Sequence, residues 1–584
     1  VVAFFSRNRN HNVNSPLSVF FSLANKHDIF YNSITEIRKL QVISERKRHE
    51  VKKSKISIHN SYLMLPVGKH VGMRKITVYR NGELIDDFSL RLDYVNPCEE
   101  VFYDLRPYRG ETLEFGCTPD VEVQDIQCAK KSEKNGQNLN YRPLIHFTPS
   151  HGWINDPNGL TEYTSPVTGE KIYHMFYQYN PYDTVWGNMH WGHATSRDLL
   201  EWKERPIALF PDESGTMFSG SAVVDKENRS GVKEGAEDVI LLFYTCAGNT
   251  SLRSEKKEFT QCLAYSTDGG ATFRKYAHNP LIPHIAANNR DPKVIYCEEM
   301  GRYVMGLYLY DANFVIFASD DLLHWEEIQK ITIEGETECP DLYPLCADGD
   351  PKKRKWIISG ASHIYIVCEC KGGKFEQIQA PRRLNYGVHH YAAQTFFGRS
   401  DGRRIAMAWH RRLEFPRAPF NGEMSLPLEL TLRSRGKEFD LCALPIGETA
   451  GLYGESETLR RQSITADEPL VLPLSPAAYR VRLNLGTIPS VLTLELFGQA
   501  IHIDGKKNTV TVGDSSFPLS VDDSDRRLTV IVDCCSAELF SGDGQAIMTA
   551  AMLCDYNICK LVLSSESSAT VPFLEVTKLL SIKK

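Results

Sequence analysis

Three acidic side chains stand out for their settings. Asp156 lies in His151-Gly152-Trp153-Ile154-Asn155-Asp156-Pro157-Asn158-Gly159, Asp291 in Arg290-Asp291-Pro292, and Glu338 in Glu338-Cys339-Pro340-Asp341. Asp-Pro and Asn-Gly pairs ordinarily mark turns, and singly each acid reads as a turn cap. All three, however, stand beside a proline-stiffened backbone at the head of an apolar, strand-like run. Crowded carboxylates push their pKa values apart, so that one stays ionised while another keeps its proton. Hydrolysis of a glycosidic bond uses that division: one carboxylate attacks or stabilises the anomeric carbon, and one acid protonates the leaving oxygen. A third carboxylate next to an arginine, as in Arg290-Asp291, is expected to stay ionised and to grip neighbouring sugar hydroxyls. Metal binding is the competing use of three acids. His190 and His193 flank Trp191, but no histidine cluster completes a ligand set, so neither metal nor cofactor is expected.

The elements that must position these acids repeat along the chain. Between 141 and about 445, apolar runs at 171–179, 239–245, 302–308, 355–360 and 403–409 recur at intervals of roughly 50 to 65 residues. Each is preceded by another, at 154–163, 218–225, 291–297, 339–346 and 391–398. Ser196-x-Asp198-x-x-x-Trp202 and Ser319-x-Asp321-x-x-x-Trp325 share one spacing, with a looser copy at Ser266, Asp268 and Phe273. Five units of several strands each predict a five-bladed β-propeller, an array of β-sandwiches being the alternative. If the preceding runs are the innermost strands, their starts gather at one mouth of the channel, and Asp156, Asp291 and Glu338 meet there. All seven tryptophans fall in this region; Trp186 sits in a polar loop where a sugar face can stack.

The flanks read as β structure too. Residues 1–53 form a poorly determined arm. Over 54–129, alternating runs and the hairpin signal Asn81-Gly82 predict a small β-sandwich-like domain. A polar linker over 130–140 leads into the propeller domain, 141–445, and regular alternation over 446–584 predicts a C-terminal β-sandwich. The fold class is all-β throughout.

At 584 residues the chain calls for several domains, and its 42% hydrophobic content supports real cores. No apolar run approaches the length of a membrane helix. A net charge of −6 gives no reason to expect a nucleic-acid partner, and the basic run at 38–55 reads as solvated. The fifteen cysteines are scattered and lack paired C-x-x-C spacing. Together with the absence of a clear signal peptide in the first residues, they favour a reducing, cytoplasmic compartment. Oligomeric state is left open.

The motif around Asp156, with Arg290-Asp291-Pro292 and Glu338-Cys339, resembles the three signatures of glycoside hydrolase family 32, the invertases, inulinases and levanases. The resemblance extends to Phe176-Tyr177-Gln178-Tyr179-Asn180-Pro181, to Trp186-Gly187-Asn188 and to Phe218-Ser219-Gly220-Ser221. It continues through Met424-Ser425-Leu426-Pro427 and Val532-Asp533 to Glu538-Leu539-Phe540. It implies Asp156 as nucleophile, Glu338 as general acid and base, and Asp291 as transition-state stabiliser. Asn155, Gln178, Trp186, Phe218, Ser219 and Arg290 would line the pocket for a terminal fructose. The implied substrates are β-fructosides, either sucrose or fructans, cleaved from the non-reducing end with retention. Fructosyl transfer on the same site and a non-catalytic sugar-binding propeller are the alternatives. The chain departs from many relatives at Asn385 and His389, where they carry Asp, and this places the contacts of a fifth-strand loop in question. Cys534-Cys535 replaces a polar pair, and the N-terminal β domain is an addition that resembles the extra domain of some levanases.

Overall fold

The computed structural model describes residues 52–131, 141–486, 491–519 and 526–582. Of the arm over 1–53 only Lys52 and Lys53 are described, and of the linker over 130–140 only Lys130 and Lys131; the rest of both lies outside the described residues.

Five antiparallel sheets make the centre of the molecule. Their first strands are Gly152–Thr164, Thr216–Asp225, Arg290–Cys297, Asp341–Cys346 and His390–Thr395. Each pairs with the strand that follows it: Lys171–Asn180, Val239–Ala247, Arg302–Tyr310, Arg354–Ser359 and Arg404–His410. Successive first strands lie against one another and the fifth returns to the first, closing a ring. The inner strands are largely buried, polar side chains included, because neighbouring sheets cover both their faces. Phe420–Asn421, which follows the fifth blade's second strand, adds in parallel to Gly152–Trp153 and locks the closure. The recurrent Ser-x-Asp motif is the turn after the third strand of blades one, two and three. Asp198 accepts from the amides of Leu200 and Glu201, and Asp321 from those of Leu323 and His324. Trp202 and Trp325 then bond back to the carbonyls of Leu199 and Leu322.

Before the propeller, sheets of four and three strands pack face to face around Phe88, Tyr103 and Phe115. Asn81 and Gly82 have φ of 52° and 86°, the left-handed pair that a two-residue hairpin turn requires. After the propeller, two six-stranded sheets enclose a second core. In Arg527–Val532 and Ser536–Ser541 the period of two splits the side chains. Val530, Val532 and Leu539 enter the sandwich core, while Ile531, Phe540 and Glu538 face the propeller. Ile531, Phe540, Ile547 and Leu579 join the propeller's own core.

That face also buries charge. Asp533 Oδ2 lies 3.0 Å from His146 Nδ1, and Glu538 Oε2 3.4 Å from His146 Nε2. His410 Nδ1 meets Glu423 Oε1 at 2.8 Å, and its Nε2 lies 3.4 Å from Glu538 Oε1. Burial alone would lower both imidazoles, but Glu423, Asp533 and Glu538 hold His146 well above the ordinary histidine range and His410 above it too. Burial likewise works against ionised Glu538, yet the two histidines hold it down to about 2.

Candidate active site

The three acids meet at one mouth of the channel, and local backbone irregularities aim them there. The inner strand of blade one bulges between Ile154 and Pro157, where Asn155 and Asp156 lie; that of blade two bulges between Phe218 and Gly220, at Ser219. Blade three does so between Arg290 and Lys293, at Asp291, and blade five between Tyr391 and Gln394. A bulge swings one side chain out of the strict alternation. Four of the five inner strands therefore break register at the mouth itself. Asp291, Glu338 and Cys339 also hold φ of 67°, 55° and 38°. Such left-handed backbone costs on the order of 1–3 kcal/mol per residue and persists only when the surroundings enforce it. The enforcing bonds are visible. Asp291 N donates to Thr245 Oγ1 (3.0 Å) and Cys339 N to Asp291 Oδ2 (2.9 Å). The buried Glu336 carboxylate accepts from the amides of Thr337 (3.3 Å) and Ser362 (3.0 Å), pinning the turn that carries Glu338.

Each acid has its own partners. Asp156 Oδ2 accepts a 2.6 Å bond from Ser219 Oγ. Glu338 Oε1 accepts from Arg290 Nη2 (2.8 Å) and Oε2 from Tyr391 Oη (3.0 Å). The Arg290 guanidinium lies over the Tyr308 ring at 4.6 Å, and its Nε is 3.7 Å from Asp291 Oδ2. Cys339 Sγ stands 3.5 Å from a carboxylate oxygen of both Asp156 and Asp291, so those two acids share one small space. Below them the channel is narrow, lined by Asn158, Gly220, Pro292 and Gln394.

Burial dominates the electrostatics. It pushes Asp156 above the ordinary carboxylate range, with Ser219 and Asn155 pulling down against it and the Glu338 charge adding to it. Asp291 is pushed up to about 7 by burial, the opposing pull of Arg290 being too weak to offset it. Arg290 does favour the ionised Asp291, as its place beside it suggests, but its closest bond goes to Glu338.

The remaining expected pocket residues separate into a floor and a rim. Asn155 is buried and accepts from Trp153 Nε1 (2.9 Å), and Gln178, 2% exposed, donates to the Met217 carbonyl (2.9 Å). Trp186 is 43% exposed, edge-on to Phe218 at 6.1 Å. Asn385 and His389 spend their hydrogen bonds on nearby backbone rather than on the acids. Asn385 is buried, donates to the carbonyls of Gly387 and His390, and bridges to Ile547 of the C-terminal sandwich. Tyr391, at the loop's end, reaches Glu338. Tyr391, Thr245 and Glu336 escaped sequence reasoning. Tyr391 at the head of the fifth inner strand was the one available signal, because every other inner-strand head bears a site residue.

Comparison with known proteins points to one family. The model of the glycosyl hydrolases family 32 N-terminal domain matches residues 146–442. A levanase of Bacillus subtilis is 33% identical over 71% of this chain and 67% of its own length. Invertase 2 of Saccharomyces cerevisiae is 35% identical over 52% of this chain and 60% of its own. Among solved structures, exo-inulinase from Aspergillus awamori superposes with a TM-score of 0.67 at 24% identity, covering 77% of this chain and all of that one. The β-fructofuranosidase of Schwanniomyces occidentalis, solved with fructosyl-erythritol, gives 0.67 at 25% identity over the same share. With its acids and its five blades in the places described, this chain belongs to glycosyl hydrolase family 32.

Proposed function

We propose that the protein is a retaining β-fructosidase that releases fructose from the non-reducing end of sucrose, fructo-oligosaccharides or fructans. Asp156 attacks the anomeric carbon of a terminal fructofuranosyl unit while Glu338 gives its proton to the departing oxygen. A fructosyl ester on Asp156 results. Glu338, now a base, takes a proton from water, whose oxygen displaces Asp156 from the same carbon and restores both groups. Asp291 and Arg290 engage the fructose hydroxyls, and Trp186 and Phe218 offer aromatic surface at the rim. The convergence of Asp156, Asp291 and Glu338 on one mouth carries this reading, supported by the donor that each of Asp156 and Glu338 already holds. Levanase, invertase and exo-inulinase relatives support the substrate class.

The test is stereochemical. A nucleophile and an acid separated by roughly 5–5.5 Å leave no room for an intervening water, whereas inversion needs roughly 6.5–9.5 Å. NMR of the first-formed fructose, read before it mutarotates, is expected to show β-fructofuranose from a β-fructoside. Initial release of the α anomer would remove Asp156 from the nucleophile's role.

A further inference from the structure

The edge strand of the N-terminal β module is grasped by two propeller loops. Glu83–Leu90 ends its four-stranded sheet, and such an edge exposes unpaired backbone groups. Here Asn188 supplies what a neighbouring strand would: its Oδ1 accepts from Ser89 N at 2.8 Å, and its Nδ2 donates to Ser89 O at 2.7 Å. Two residues on, Arg91 N donates to Asp183 Oδ2 (2.9 Å), and its guanidinium forks onto the same fully buried carboxylate and reaches Thr184 Oγ1 at 3.0 Å. Tyr182, edge-on to His190 of blade one, stacks on Phe88, ring centres 4.2 Å apart, inside the module's core. On the other side, Asp87 accepts from the amides of Leu252 (3.0 Å) and Arg253 (3.2 Å).

The two loops held this way, 181–189 and 248–259, carry one aromatic wall. Trp186 stands in the first, two residues before Asn188, which itself holds a left-handed φ of 48°. Phe259 closes the second and meets Phe218 edge-on at 5.5 Å, as Phe218 meets Trp186 at 6.1 Å. Phe218 is the neighbour of Ser219, the donor to Asp156. A chain of contacts therefore runs from the module's edge strand through Trp186 and Phe218 to the acid site.

We propose that the N-terminal β module is a built-in part of the sugar site, with Asp87, Ser89 and Arg91 as positioning residues that hold the Trp186–Phe218–Phe259 wall against the bound fructoside. Aromatic surface binds a sugar face well only when it is already in place, because ordering a loop on binding subtracts from affinity. Losing the clamp therefore weakens binding and leaves the bond-breaking groups where they are. The inference rests on the β-fructosidase reading for its substrate class, while the clamp itself is measurable without any substrate.

Arg91→Ala tests it in the full chain. Hydrogen exchange of the backbone amides over 181–189 is expected to rise about tenfold or more, with the inner strands unchanged. KM for kestose and for levan is expected to rise about fivefold or more, with kcat within about twofold. Arg106→Ala, which breaks an ion pair with Asp104 inside the module, is expected to change neither. Unchanged exchange over 181–189, or a fall in kcat at constant KM, overturns the proposal. Asp87→Asn decides in the same way over 248–259 if Arg91→Ala does not fold. A parent enzyme that cleaves no fructoside would defeat the functional reading, and the exchange result would still judge the clamp.

Discussion

Ser219 Oγ donates a 2.6 Å hydrogen bond to Asp156 Oδ2, joining the inner strand of blade two to that of blade one at an acid that burial pushes toward its neutral form. The bond stabilises the carboxylate against its own desolvation. Ser219→Ala should therefore raise the Asp156 pKa further and move the acidic limb of the kcat/KM profile to higher pH, by about one unit for a bond of about 1–1.5 kcal/mol. An unmoved or downward-moving limb would show that Ser219 does not set the charge on Asp156.

Replacing the nucleophile itself is the sharper test. Asp156→Asn keeps size and shape but not nucleophilicity, so turnover should fall by many powers of ten with the thermal midpoint intact or raised. Retention of more than about a tenth of kcat, an effect below about 1.4 kcal/mol, is incompatible with the assigned role.

Glu338 is gripped on both oxygens, by Arg290 and by Tyr391. Glu338→Gln should cost natural substrates about two to four powers of ten, since a sugar is a poor leaving group without a proton. A fructoside with an activated leaving group should lose much less in the first step. Tyr391→Phe should lower kcat/KM by about tenfold through a less firmly placed acid. Equal losses on both classes of substrate in Glu338→Gln would take Glu338 out of the acid's role.

The buried histidines between propeller and sandwich predict a pH dependence of stability. Their folded pKa values are raised, by Glu423, Asp533 and Glu538 around His146 and by Glu423 and Glu538 around His410, against the burial that lowers both. The stability they contribute is complete below about pH 6.5, the unfolded value, and is lost as pH rises through the folded values. Glu538 contributes in the opposite sense, fully above about pH 4.5 and losing ground only as pH falls toward about 2. His410→Gln should thus lower the thermal midpoint most between pH 4.5 and 6.5 and progressively less above. A deficit that grows with alkaline pH would contradict this.

Gly544, at φ 85°, brings its backbone so close to blade five that an added Cβ would lie 2.1 Å from the Ala443 carbonyl oxygen. Gly544→Ala should destabilise by about 2 kcal/mol or more, read as a lower thermal midpoint with kcat unchanged at low temperature. A truncation ending near Gly447 uncovers the apolar surface that Ile531, Phe540, Ile547 and Leu579 now bury, and should be insoluble. A soluble truncated enzyme of unchanged midpoint would sink the idea that the sandwich supports the propeller.

Much of this was legible in the sequence because its causes are local. Strand periodicity, the recurrence of apolar runs and the Asn81-Gly82 turn depend on neighbours in the chain, and they predicted five blades with β-sandwiches on either side. The ring of inner strands then put Asp156, Asp291 and Glu338 together. What only the tertiary structure decided depends on contacts between distant segments. No local pattern announces a bulge at Ser219 or that Arg290 sits closer to Glu338 than to its neighbour Asp291. Burial, which sets the charge on Asp291, is a property of the closed mouth and not of the Arg290-Asp291 pair. The place of Asn385 has the same cause: before the chain enters the fifth inner strand, its loop bridges to the sandwich at Ile547, 162 residues on. The sequence determined which residues exist to do chemistry; the closing of the ring determined which of them face one another, and in what state of charge.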